Sequence, residues 1–105
     1  MEPQCKDIVS MLLPAVRASV AEELHKKHGY TQEEIAAKLG IVQVAVSKYL
    51  RGKYSQRIKG IKEKIEAQRL DSRIIECILN KKSRAEIDTA IDELCDRLVA
   101  VNLVQ

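Results

Sequence analysis

The chain has no phenylalanine and no tryptophan, and only three tyrosines in 105 residues. Its core must therefore be built from Ile, Leu, Val and Ala, a composition that suits packed helices. No run shows the strict alternation of a half-buried strand. The four glycines, at 29, 40, 52 and 60, are too scattered for a phosphate-cradling loop. The two histidines, His25 and His28, lie three apart. They could share a metal, but the preferred reading is a pair that complements the dipole at a helix carboxyl end. No catalytic constellation stands out, and the many carboxylates fall at helix-surface spacing. Neither an enzyme nor a bound cofactor or metal is expected. No apolar run reaches the length of a membrane span. Glu2 and Asp7 are acidic, and the apolar stretch 8–16 is interrupted by Ser10 and Pro14, so no signal peptide is expected and the protein is read as cytoplasmic.

Cysteine is also scarce. Cys5, Cys77 and Cys95 do not make a secreted disulfide framework, and no two are close enough in sequence to suggest a cluster. Cys77 sits beside Ile74 and Ile78, and Cys95 beside Leu94 and Leu98, which favours small buried hydrophobes. A disulfide between Cys77 and Cys95, within the chain or across a dimer, stays open, as does a redox role.

What is present is concentrated in residues 31–53. Thr31 can cap a helix and Glu34 follows three residues later, which is a capping box. Ile35, Ala36 and Leu39 then share one face. Gly40 stands where the chain must turn, with Ile41 as an apolar plug. A second helix over about 42–50 is predicted to bury Val46, Tyr49 and Leu50. It leaves Gln43, Val44, Ser47, Lys48 and Arg51 facing out, and Gly52 closes it. Helix, glycine turn and helix at this spacing resemble the helix-turn-helix of lambda-type repressors. The bland alternative is an ordinary helical hairpin.

Charge supports the motif independently. Residues 43–62 hold six bases (Lys48, Arg51, Lys53, Arg57, Lys59 and Lys62) and no acid. Residues 83–96 hold five acids (Glu86, Asp88, Asp92, Glu93 and Asp96) against Arg84 alone. The net charge of +3 thus averages two unlike halves. A basic cluster following a reading helix is where DNA phosphates would lie. A run of like charge elsewhere would read as a solvated face.

The length fits one domain, or a small domain with an oligomerisation element. A helix is expected over residues 5–28, capped by Asp7, with Val16, Val20 and Leu24 inward and Arg17, Glu22, Glu23, Lys26 and Lys27 exposed. Pro14 either kinks it or starts a second helix. Ser55 can cap a helix carrying Ile58, Ile61 and Ile65, which Gly60 weakens without forbidding. A further helix begins near Asp71 or Ser72, with Ile74, Ile75, Ile78 and Leu79 on its apolar face. After a break at residues 80–82, Ser83 and Glu86 form a second capping box. The last helix spaces Ile87, Ile91, Leu94, Leu98 and Val101 as a heptad seam. Two heptads are too short to stand alone, so the seam must pack on another helix of this chain or of a partner. The expected fold is all-α: a helix-turn-helix domain over residues 1–55 and a helical tail over 56–105 that serves as the dimerisation region.

A closer resemblance rests on Leu13-Pro14-Ala15-Val16-Arg17-Ala18, on Tyr30-Thr31-Gln32 and on Ala45-Val46-Ser47-Lys48-Tyr49-Leu50. Together these are similar to a group of archaeal predicted transcriptional regulators with a lambda-repressor (Cro/C1)-type helix-turn-helix domain. The likeness covers about the first 55 residues. It implies that Gln32 holds a phosphate and braces Gln43, which would pair with an adenine edge in the major groove. It implies further that Val44 touches a thymine methyl, that Ser47 and Lys48 continue the reading face, and that Arg51, Lys53 and Arg57 contact phosphate. Some relatives carry a ligand-sensing domain that this chain is too short to hold, so any effector is unknown.

The expected function is a sequence-specific transcriptional regulator that binds double-stranded DNA as a homodimer on a palindromic operator. An architectural chromatin protein would use the same basic surface without sequence preference, and an adaptor would use the acidic last helix.

Overall fold

The computed structural model describes residues 3–100, with side chains from Ser10 onward. The expected cap Asp7, the thiol of Cys5 and the seam residue Val101 lie outside the described side chains. The described residues form six helices and no strand: α1 (Pro3–His28), α2 (Gln32–Leu39), α3 (Gln43–Leu50), α4 (Gln56–Gln68), α5 (Ser72–Leu79) and α6 (Arg84–Ala100).

Helix α1 is the member the others cover. Leu12, Ala15, Val16, Ala18, Val20, Ala21 and Leu24 are all buried, so packing reaches most of the way around it. It packs chiefly on α4, and also on α3, α6, α2 and α5. Its small residues let neighbours approach on several sides. Pro14 does not start a new helix: α1 runs continuously through it. An interior proline costs about 3 kcal/mol, and burial of Leu12, Ala15 and Val16 on either side offsets that cost. Gly60 likewise sits inside an unbroken α4.

The core is one cluster drawn from both halves of the sequence, with Ile35, Leu39 and Val46 joined to Ile61, Ile65, Ile74, Ile75 and Ile78 through α1. The heptad seam belongs to it. Ile87, Ile91, Leu94 and Leu98 are each at most 4% exposed, and α6 packs on α1, α5 and α2. The seam is therefore covered within the chain and is not free to pair with a second copy. The same apolar spacing serves either arrangement, and here α1 and α5 occupy it. Deleting residues 83–105 would strip the core rather than separate a dimer. Leu79, expected on the apolar face of α5, is exposed instead, because it falls on the last residue of the helix.

Two polar contacts tie α1 to the tail. Lys62, expected within an outward basic cluster, is buried, and its Nζ lies 3.0 Å from Glu22 Oε1 and 2.9 Å from Glu66 Oε2. Burial alone would lower the lysine pKa, but the two carboxylates outweigh it and hold the ammonium well above the ordinary lysine range. Burial likewise would raise the Glu22 pKa, and the Lys62 ammonium brings it below the usual value. The second contact is between Ser19 and Asp71, both buried, with the hydroxyl donating to Oδ2 at 2.7 Å. Asp71 stands at the N-cap position of α5, yet its side chain makes no cap bond and turns to Ser19 instead. Burial pushes its carboxyl above the usual aspartate range; the Ser19 hydroxyl opposes this and the charge of Glu23 adds to it. Arg17, expected to be exposed, is half-buried, and its Nε is buried with no hydrogen-bond partner.

A carboxyl whose folded pKa is raised contributes stability that is fully present below its ordinary value and is lost as pH rises through the raised one. Asp71→Asn keeps an acceptor for Ser19 and removes the buried charge. It should melt above the parent at pH 7, with the difference closing toward pH 4, as read by thermal unfolding at the two pH values. Lys62→Ala should cost about 1–3 kcal/mol in denaturant unfolding at neutral pH, less than a fully buried pair because Glu22 and Glu66 can hydrate. The lysine contribution is present at neutral pH and lost only as pH rises through the raised pKa. Alkaline titration above pH 10.5 should therefore narrow the gap between the parent and Lys62→Ala.

Candidate nucleic-acid interface

The motif is built by local signals that the structure places as the sequence predicts. The Thr31 side chain accepts from the Glu34 amide at 3.1 Å, and the Thr31 amide donates to Glu34 Oε1 at 2.8 Å. This fixes where α2 begins. Ile35, Ala36 and Leu39 are buried on its inner face. The helix stops at Gly40, whose φ of 69° is left-handed. The amides of Gly40 and Ile41 both return to the Ala36 carbonyl, at 2.8 and 3.1 Å. A residue with a β-carbon in that conformation would cost about 1–2 kcal/mol.

Helix α3 then starts at Gln43, one residue later than expected, with Val42 as its N-cap and no side-chain cap bond. Val46 is fully buried, and Tyr49 and Leu50 are half-buried against the core. That anchors one face and turns residues 43, 44, 47, 48 and 51 to the other, within an arc of roughly 140° on a helix of 3.6 residues per turn. Gln43, Lys48 and Arg51 are exposed there, and Val44 is 64% exposed. Ser47 is half-buried rather than open, because it borders the packed face. The helix closes on Gly52, with the Lys53 amide on the Lys48 carbonyl at 2.9 Å and the Gly52 amide on the Tyr49 carbonyl at 3.1 Å. This paired-bond cap reverses the chain and leaves Lys53 exposed just beyond α3. The Ser55 hydroxyl accepts from the Ile58 amide at 3.2 Å and starts α4, with Arg57 exposed in its first turn.

Among the described residues, Lys48, Arg51, Lys53, Arg57 and Lys59 make no ion pair, whereas Lys62 is withdrawn into the core with two carboxylates. Unpaired exposed cations on one edge are the pattern that displaces counterions from a polyanion. Gln32 is half-buried at the first residue of α2. No hydrogen bond joins it to Gln43 among the described residues, so the implied bracing contact is absent here.

Sequence reasoning missed Arg84. Its guanidinium lies against the Cα of Gly40, where any added β-carbon would collide with it. A side chain at 40 would displace this exposed guanidinium, while the left-handed turn is what calls for glycine. The same guanidinium bonds Asp88 at 3.2 Å. An arginine alone in an acidic stretch was the signal, but its partner lies far away in sequence.

The other candidates lie elsewhere. Cys77 and Cys95 are free and half-buried against the core on α5 and α6. Burial, followed by the charges of Asp92 and Asp96, pushes the Cys95 thiol up, which disfavours the reactive thiolate. His25 Nδ1 lies 3.0 Å from the Tyr30 carbonyl and must donate to it, and His28 stands 3.9 Å from Glu23. Among the described residues, no helix is long and apolar enough to cross a membrane.

Residues 22–59, a little over a third of the chain, match the model of a helix-turn-helix family of the Cro/C1 type. The span takes in the last turns of α1, both motif helices and the start of α4. No curated protein and no solved structure matches the chain. The described residues are all-α, and their motif is similar to a lambda-repressor-like helix-turn-helix.

Proposed function

We propose that the protein is a cytoplasmic transcriptional regulator that reads double-stranded DNA with α3 and acts as a homodimer on a palindromic operator. The observation that carries this reading is the outward face of α3, where two hydrogen-bonding side chains and an apolar one stand beside unpaired cations. Gln43 has the two-sided amide that suits an adenine edge, Val44 suits a thymine methyl, and Ser47 can bond either base type. Lys48 extends the reading face. Gln32, Arg51, Lys53 and Arg57 hold phosphate and set the register. An architectural protein would have no use for Gln43 and Val44 at these positions.

Dimerisation follows from size. One helix-turn-helix covers little of a duplex, and a two-fold pair doubles the contacts while reading an inverted repeat with half-sites about 34 Å apart. Because the seam of α6 is buried in the chain, the dimer surface proposed for the tail is its outward face. There Leu70, Arg73, Ile74, Glu93 and Asp96 border a groove of about 420 Å³ between α5 and α6. Charges of both signs on one groove suit a self-complementary contact.

Gln43→Ala should relax preference at one base position by about 1–3 kcal/mol in competition binding. Lys53→Ala should weaken binding to all sequences alike and make its salt dependence shallower by about one unit of slope. Uniform loss from both variants would remove Gln43 from direct readout and favour the architectural reading.

A further inference from the structure

The α5–α6 connection brings a second group of cations to the helix-turn-helix. Helix α6 packs its amino end on α2, and the Arg84 guanidinium rests on Gly40, in the turn that introduces α3. Gly40 stands three residues before Gln43, at most about 11 Å along the chain, and Lys82 two residues before Arg84, at most about 7 Å; the Arg84 side chain spans the gap between the two segments. Lys81 and Lys82 are exposed and make no ion pair among the described residues. Of the acids that follow in α6, Glu86 bonds the Ser83 cap and Asp88 pairs with Arg84. The exposed cations Lys81 and Lys82 thus stand on the connection whose Arg84 touches the turn before α3, while Arg51, Lys53 and Arg57 follow its carboxyl end.

We propose that the connection from Lys81 to Arg84 is a second phosphate-contacting edge of the DNA-binding face, gripping the duplex backbone beside the start of α3. This rests on the reading of α3 as a DNA-binding helix and extends the footprint into the tail. The tail is then not only a structural support. It supplies part of the electrostatic grip, and the distance from Lys82 to Arg57 sets the width of backbone engaged by one copy. The contact is to phosphate, so it adds affinity without sequence preference.

The fold offers a variant that separates charge from structure. The Lys82 amide bonds the Cys77 carbonyl and the Lys81 amide the Ile78 carbonyl, both at 3.0 Å, so Lys81 occupies the left-handed position that ends α5, with φ of 58°. The motif helices place Gly40 and Gly52 at that position, while the tail helices place Arg69 and Lys81. Glycine adopts the conformation without strain. Lys81→Gly should therefore raise thermal stability while removing a charge.

The experiment measures binding of the full chain to a random-sequence duplex across a salt series. It compares the parent, Lys53→Ala, and the double variant Lys81→Gly with Lys82→Ala. The double variant is expected to melt no lower than the parent. It should bind several-fold more weakly at physiological salt, with a slope of log K against log salt shallower by about one to two units. If Lys53→Ala makes the slope shallower and the double variant leaves it unchanged, the second edge is wrong and the DNA-binding reading stands. If the parent itself does not bind duplex DNA, the reading of α3 fails and the second edge with it.

Discussion

Burial of α1 on most of its circumference is the constraint from which the rest follows. A helix covered by five neighbours cannot present large side chains everywhere, and α1 carries buried alanines at 15, 18 and 21. Because α1 is shared, the motif and the tail form one hydrophobic cluster rather than two. Helix α3 is held from behind by Val46, and α1 is pinned to the tail by Lys62 and by the Ser19–Asp71 pair. The motif thus shares its core with the tail, and the burial of Val46 sets which way the backbone presents Gln43 and Val44.

Two kinds of polar burial do different work. Lys62 carries its charge into a cage of two carboxylates that favour its charged form, and it favours the charged form of Glu22 in turn. Asp71 is desolvated more than the Ser19 hydroxyl, its backbone hydrogen bond and the charge of Arg69 offset, so its burial fixes a contact between α1 and the start of α5 more than it stabilises the fold. Arg84 is a third long-range contact, and it joins the tail to the motif turn itself. These contacts bridge sequence separations that a continuous core alone would leave free to slide.

Much of the fold was legible because its signals are local. The capping boxes of Thr31 with Glu34 and of Ser83 with Glu86 lie within four residues, and both form. Gly40 and Gly52 occupy the turns assigned to them. What sequence could not carry was pairing at a distance. Lys62 stood among bases and read as exposed, although Glu66 one turn on hinted at a partner; Glu22 lies 40 residues away. The seam of α6 was legible as apolar, but its spacing is the same whether α1 or a second copy covers it. Within the candidate site, the orientation of Gln43, Val44, Lys48 and Arg51 was legible from Val46. The half-burial of Ser47 and the missing bond between Gln32 and Gln43 depend on packing that no spacing reports.

If α3 reads sequence, and reads it twice across a two-fold axis, the bound DNA must carry an inverted repeat. The most direct measurement is selection of bound fragments from sheared genomic DNA of the source organism, using purified full chain, near-physiological salt and excess competitor. A few fragments that share an inverted repeat, with half-site centres about one helical turn apart or a multiple of it, should be recovered. Uniform recovery of all fragments, or recovery of none, would contradict that reading.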